Sequence, residues 1–196
     1  MVKRVEDMIL TPVLLVLLAV PLVLFAPLIR LESPGPAQFC QRPVGLDGTS
    51  FVMWKFRTMQ CHREPNGTLR QKRRDDPRVT RVGAWLRRLS LDELPQLSNV
   101  LRGEMSLVGP RPHAPGTCAG GRPFEQISPL YMERHHVRPG MTGLAQVRGW
   151  RGETETEDKL LRRVDSDLEY IATWSLWMDL VILARTLAMV RACNAY

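Results

Sequence analysis

The chain has 196 residues, of which 44% are hydrophobic and 24% charged, and its formal net charge at pH 7 is +7. That length fits one domain plus a membrane element, and the apolar share is enough to build a core. The basic balance points to anionic partners such as phospholipid headgroups or phosphorylated substrates. Nucleic acid is excluded because the chain has no zinc-finger spacing, no basic strand interleaved with aromatics and no separate basic tail.

Met8 to Ile29 carries no charge, a length that meets a bilayer core of about 30 Å. No small-residue cleavage site precedes the Ser33-Pro34-Gly35-Pro36 turn, which argues against a cleaved signal peptide. Pro12, Pro21 and Pro27 interrupt the run. Pro21, at its middle, removes a backbone hydrogen bond and predicts a kink. Lys3 and Arg4 precede the run and Arg30 and Arg42 follow it, so charge asymmetry selects no orientation. A hairpin dipping into one leaflet fits these residues better than a straight span, which stands as the alternative.

Phe51 to Met59 reads as a strand from its aromatic and β-branched content. Alternation puts Val52, Trp54 and Phe56 on one face and Lys55 with Arg57 on the other, a cation pair able to meet a phosphate. Cys61 to Asp75 is polar and aperiodic, hence a loop. Asp76-Pro77 predicts the start of a helix running to about Arg88, with Val79, Val82, Leu86 and Leu89 as its apolar stripe. Residues His113 to Pro123 are rich in Gly and Pro and read as another loop. Leu160, Val164, Leu168 and Ile171 mark an amphipathic helix with Asp167 beside the stripe. Trp174, Trp177, Leu180, Val181, Leu183, Leu187 and Val190 recur at helical spacing, while Asp179, Arg185 and Arg191 forbid a span. The segment near 174–191 therefore reads as an interfacial helix, with an ordinary core helix as the alternative. Cys40, Cys61, Cys118 and Cys193 form no CxxC pair and read as reduced thiols of a cytosolic compartment. The predicted fold class is an α-rich α+β domain with few short strands.

The chemistry concentrates in Leu91 to Arg111, LDELPQLSNVLRGEMSLVGPR. Ser90 and Glu93 match a capping box that would start a helix at Leu91. Pro95 favours Asp92 as the cap instead, which leaves Pro95 in the tolerated first turn. Either way Asp92 and Glu93 fall in a first helical turn, where the dipole favours ionised acids and bound anions. An ionised aspartate there can attack phosphorus and form an acyl phosphate, and its neighbour can hold a divalent cation or a proton. Acidic pairs in a first turn are usually plain caps, so the signal needs support. Arg111 lies between Pro110 and Pro112, and Arg138 precedes Pro139-Gly140; each alone reads as a structural turn, while together such braced guanidinium groups are able to clamp phosphate oxygens. His135 and His136 lack a carboxylate at metal spacing and read as structural.

Six separated motifs then carry a resemblance over nearly the whole chain. They are the run above, SPGP (33–36), WKFRTM (54–59), DDPRVTRVG (75–83), VRPGMTGLAQV (137–147) and DLEYIATWSLWMDL (167–180). In their order along the chain they resemble the bacterial sugar transferases, the monotopic phosphoglycosyl transferases. The resemblance implies transfer of a sugar-1-phosphate from a nucleotide diphosphosugar to polyprenyl phosphate, with Mg²⁺, at the cytoplasmic face of the bacterial inner membrane. It implies Asp92 as the nucleophile that releases the nucleoside monophosphate. Glu93 would serve the metal or the proton, Asp92 and Glu93 together would be the metal-holding pair, and Lys55, Arg111, Arg138 and Asp167 would bind substrate. It also implies a re-entrant membrane helix over 1–32 and a cytosolic catalytic domain over 33–196. The family's membrane break is usually Ser-Pro, whereas this chain has Ala19-Val20-Pro21.

Gln146 to Thr154 and GPRPHA (109–114) look most like the glucose-1-phosphate transferases of exopolysaccharide synthesis, which use UDP-glucose and undecaprenyl phosphate. Arg148 and Leu144 depart from that subgroup's usual Asn and Trp, so UDP-galactose or an N-acetylated UDP-sugar stays open. The resemblance is to the minimal form of the family, without the transmembrane bundle and extra domain of its larger members. Inner-membrane lipid, downstream glycosyltransferases and a second copy of the chain are the further partners it allows. A non-catalytic membrane-anchored scaffold is the alternative from another class.

Overall fold

Pro21 has no N–H to give the Leu17 carbonyl, and its ring crowds that same carbonyl, so a single straight helix cannot pass through it undisturbed. In the computed structural model, which describes residues 2–60 and 76–192, the chain breaks there. Helices α1 (Val2–Leu17) and α2 (Ala19–Glu32) meet at Leu18 with a 59° bend. The kink that Pro21 predicts therefore falls three residues ahead of it, where the carbonyl conflict lies. No single helix among the described residues is long and apolar enough to cross a membrane. The bent pair passes together, by length and composition.

Strands β1 (Gln38–Gln41) and β2 (Met53–Phe56) pair antiparallel, Gln38 opposite Phe56 and Gln41 opposite Met53. The strand is shorter than its sequence suggests and its alternation differs: Met53 and Phe56 are buried, Trp54 and Lys55 half-buried. The reason is that β2 lies between two apolar clusters instead of on one. Met53 joins Leu97, Val100, Met105, Leu107 and Ile182. Phe56 joins Phe25 and Ile29 of α2 with Leu86, and Phe25 meets Phe56 edge-on at 5.9 Å. Arg57, just past the strand, turns inward and donates to the Ser33 carbonyl at 2.5 Å and the Pro34 carbonyl at 2.7 Å, closing the end of α2. Lys55 and Arg57 are thus not the cation pair that alternation predicts.

Helix α3 (Arg81–Arg88) begins later than Asp76-Pro77 suggests. Asp76 spends its carboxylate on Arg78, Val79 bridges to Met59, and Thr80 is the cap, its hydroxyl accepting from the Gly83 N–H at 3.0 Å. A 3₁₀ turn (Leu91–Gln96), α4 (Leu97–Arg102) and β3 (Ser106–Val108) follow. Buried Asn99 ties α4 to the start of β2, accepting from the Trp54 N–H and donating to the Val52 carbonyl. The segment read as a loop at 113–123 contains a two-residue hairpin, β4 (Cys118–Ala119) with β5 (Arg122–Pro123). The polar stretch 61–75, with Cys61 and the first residue of the DDPRVTRVG motif, lies outside the described residues, as does Cys193.

After α5 (Phe124–Ile127) and a 3₁₀ turn (Tyr131–His136), β6 (Gly140–Thr142) pairs parallel with β3. A Cβ at Gly140 would overlap the Gly109 nitrogen, so two glycines let these backbones touch. Helices α6 (Leu144–Val147), α7 (Glu157–Thr173) and α8 (Leu176–Arg191) complete the chain. Leu160 and Val164 of α7 are buried, as the stripe predicts. In α8 the pattern is subtler. Asp179 is fully buried, where it accepts from Lys3 at 2.5 Å, the Tyr170 hydroxyl at 2.8 Å and the Trp174 ring N–H at 2.9 Å. It does not interrupt an outer face; it fastens α8 to the start of α1, while Trp177 and Leu187 stay exposed. The α-rich α+β class is what the chain adopts, with short strands only.

Candidate active site

The capping box does not form. Ser90 is left-handed at φ 56°, and its N–H goes to the Arg87 carbonyl. Its hydroxyl accepts from Arg151 at 2.7 Å instead of capping. With Pro95 lacking a donor, the backbone takes the tighter 3₁₀ turn, and Asp92 and Glu93 project from that turn and not from an α-helical N-terminus.

Glu93 is held from two sides. Lys55 Nζ donates to its Oε1 at 3.0 Å from β2, and Arg111 grips both oxygens as a fork, Nη1 to Oε2 at 3.0 Å and Nη2 to Oε1. Burial alone would raise the Glu93 carboxyl, but Arg111 and Lys55 together outweigh it and hold it below the usual carboxylate range. The carboxylate of Asp92, next to it in the chain, accepts no hydrogen bond among the described residues. Burial, and after it the negative charge of Glu93, pushes its carboxyl above the ordinary value against the pull of Lys55, Arg111 and Arg87. Two adjacent acids are driven apart by environment, one fixed as a charge and one left open.

Arg87 is the residue that the sequence reading passed over. It lies in the last turn of α3, with Nε donating to the Thr58 hydroxyl at 2.8 Å and a buried Nη2 without a partner among the described residues, and its charge acts on Asp92. Its position one turn ahead of the acids was the available signal, masked by the general abundance of arginine.

Arg111 is positioned from behind. Its carbonyl accepts from Arg134 Nη2 at 2.9 Å, and Arg134 in turn donates from Nε to Asp167 Oδ2 at 2.8 Å. The Arg134–Asp167 pair is buried, its side chains 2% and 3% exposed. Asp167 thus reaches the acids only through Arg134 and Arg111. Arg138 is exposed and donates to the Gly103 carbonyl at 2.7 Å, closing α4; the structure does not bring it to Glu93. His135 donates from Nδ1 to the Met132 carbonyl at 3.2 Å and His136 faces Glu133, structural placements both.

Among the described residues no group of three or more His, Cys, Asp and Glu gathers as a metal site. Mg²⁺ commonly rests on one or two carboxylates plus substrate phosphates. The open Asp92 carboxylate suits that arrangement. Glu93, with both oxygens engaged by cations, does not in this conformation.

The structure thus sets an open acid and a guarded acid among fixed cations on an α-rich domain that begins with an apolar bent helix pair. The chain belongs to the bacterial sugar transferase family, whose model matches residues 1–192. It is 52% identical over 185 residues to the undecaprenyl-phosphate glucose phosphotransferase of Komagataeibacter xylinus, covering 94% of this chain and 35% of that one. It is 52% identical over 195 residues to the UDP-glucose:undecaprenyl-phosphate glucose-1-phosphate transferase of Caulobacter vibrioides, covering 99% of this chain and 72% of that one. A UDP-N-acetylgalactosamine-undecaprenyl-phosphate N-acetylgalactosaminephosphotransferase of Aeromonas hydrophila is 43% identical over 191 residues, covering 96% of this chain and 43% of that one. The chain thus spans about a third of the length of the first of these relatives.

Proposed function

We propose that the protein transfers glucose-1-phosphate from UDP-glucose to undecaprenyl phosphate and releases UMP, at the cytoplasmic face of the bacterial inner membrane. The observation that carries this reading is the split environment of the acids: the Asp92 carboxylate without a hydrogen bond, Glu93 locked between Lys55 and Arg111. The Komagataeibacter and Caulobacter relatives, both named for glucose transfer to undecaprenyl phosphate, support the donor and the acceptor.

In this mechanism a carboxylate oxygen of Asp92 attacks the sugar-bearing phosphorus of the donor. The phosphoanhydride bond breaks, its bridging oxygen and electron pair leave on UMP, and a phosphosugar remains on Asp92 as an acyl phosphate. A phosphate oxygen of undecaprenyl phosphate then attacks the same phosphorus, a new phosphoanhydride forms, and the Asp92 carboxylate is regenerated. Lys55 and Arg111, gripping Glu93 beside the nucleophile, supply a preorganised positive field for the transferring group, and Arg87 adds a third cation. Asp92 and the donor's phosphate oxygens would hold Mg²⁺, which when bound neutralises charge on the diphosphate. Glu93 keeps the two cations in place and raises the proton affinity of Asp92.

The test is UMP release by purified protein in nanodiscs with undecaprenyl phosphate, Mg²⁺ and separate UDP-sugars. Release with UDP-glucose alone is expected. The Aeromonas relative favours a second reading, an N-acetylated donor. Release with that sugar or with UDP-galactose in place of UDP-glucose would keep the reaction and replace the donor. No release with any sugar, from folded protein, would leave the membrane-anchored scaffold.

A further inference from the structure

Ser90 stands where α3 hands over to the acids. Among the described residues it is one of two other than glycine with a left-handed backbone, at φ 56°, a conformation that strains any residue bearing a Cβ. Three hydrogen bonds meet on it. Its N–H goes to the Arg87 carbonyl at 3.0 Å, closing the end of α3, and its carbonyl accepts from the Glu93 N–H at 3.4 Å, opening the 3₁₀ turn. Arg87, Asp92 and Glu93 thus all leave the backbone within three residues of one pivot. The third bond comes from far away. Arg151 Nη2 donates to the Ser90 hydroxyl at 2.7 Å from 61 residues further along the chain.

Arg151 lies in the segment between α6 and α7, and α7 holds that segment. Arg163, 6% exposed, gives Nε to the Trp150 carbonyl at 2.6 Å, Nη2 to the Gly152 carbonyl at 2.7 Å and Nη1 to the Thr154 hydroxyl. One buried guanidinium therefore fixes the carbonyls on both sides of Arg151. Arg162, next to it on α7, sets its charge over the Trp150 ring at 5.4 Å. The reach of Arg151 to Ser90 thus starts from a braced backbone. A hydrogen bond from a charged donor is stronger than a neutral one, and this one falls on the residue whose backbone is strained. A strained residue persists only where its surroundings over-determine it. A shift of about 1 Å at a reacting group costs a large factor in rate, and Asp92 is two residues from the pivot.

We propose that Arg151 is a positioning residue for the transfer reaction: by holding the Ser90 hydroxyl from the segment before α7, it fixes the left-handed pivot from which Asp92 and Glu93 project. Its effect on rate rests on the transferase reading above, whereas its effect on the turn does not.

The experiment measures UMP release with UDP-glucose, and amide hydrogen exchange over residues 91–96, in nanodiscs. Ser90→Ala and Arg151→Met should each lower kcat about tenfold or more, with the donor KM near that of wild type. The double variant should be no slower than the slower single variant, because both changes delete one contact. Ser90→Asn supplies a carbonyl acceptor and takes left-handed backbone more readily than most residues, so it should recover most of the loss. Exchange over 91–96 should quicken in both single variants and stay near wild type in Ser90→Asn. Losses that multiply in the double variant, or an Arg151→Met that raises KM while Ser90→Ala changes nothing, would mean that Arg151 meets the donor itself and would overturn the proposal. A lower melting temperature with unchanged kcat per folded molecule would make the contact structural only, which also overturns it. If Arg151→Met does not fold, Ser90→Ala against Ser90→Asn decides by the same readouts. Quickened exchange in protein that releases no UMP with any donor would leave the pivot contact standing and overturn the transferase reading alone.

Discussion

A carboxylate gripped by two cations and one that accepts no hydrogen bond titrate in opposite directions, and Glu93 and Asp92 do so while adjacent in the chain. Because the folded state raises the Asp92 pKa, ionising it costs stability. That cost appears as pH rises through the window between the ordinary carboxylate value and the raised one. Asp92→Asn should therefore abolish UMP release, by about 10³-fold or more, yet melt higher than wild type at neutral pH. The gain should shrink as pH falls below the ordinary carboxylate range, and nanodisc binding should persist. Near wild-type turnover would end the covalent mechanism. Glu93 has the opposite sign, contributing stability above the ordinary value and losing it as pH falls through its depressed one. Glu93→Gln removes the negative charge that raises Asp92 and releases Lys55 and Arg111 toward it. The acid limb of the kcat/KM profile should then move to lower pH; a limb that stays in place would sever the two titrations.

Elements make this residue geometry rigid. β2 carries Lys55, the Gly109-Pro110 turn carries Arg111, and the turn and helix behind them meet at the Arg134–Asp167 pair. Breaking a buried pair leaves the surviving charge without compensation. Arg134→Met should lower the unfolding free energy by about 3–5 kcal/mol in chemical denaturation. The Arg134→Met, Asp167→Leu double variant should recover much of it while still binding donor poorly, because the Arg111 carbonyl has lost its anchor. A double variant with wild-type KM would make Asp167 a purely structural residue.

At the scale of the whole molecule, apolar surface runs along the bent pair and continues on α8. Val16 is 77% exposed, Val23 72%, Leu31 84% and Trp177 74%. Exposed apolar surface of this extent marks a contact with membrane or protein, and the +7 charge complements anionic headgroups. A re-entrant pair puts both its ends on one side. Cysteines introduced at Val2 and at Glu32 should both react with an impermeant maleimide only from the cytoplasmic side of oriented vesicles. Reaction of the Val2 site from the other side would mean a straight span.

The uncharged run, the central proline, the stripe of α7 and the adjacency of Asp92 and Glu93 were legible in the sequence, because each is a pattern among near neighbours; of the stripe drawn for α3 only Leu86 is buried, and Val79 and Leu89 fall outside the helix. The α-rich class followed from the same patterns. Partnerships across the chain were not legible. Glu93 meets Lys55 and Arg111 from 38 and 18 residues away. Arg57 leaves its strand neighbour for the end of α2, Arg138 closes α4, and Asp179 is buried under Lys3. Spacing ranks charged side chains as solvent-facing, whereas the choice among several equivalent carboxylates and carbonyls is made only when packing brings one of them within reach. The sequence by itself determined that two acids stand side by side in a basic chain; the tertiary structure decided which acid is held and which is left open, because only burial and through-space charge separate the two.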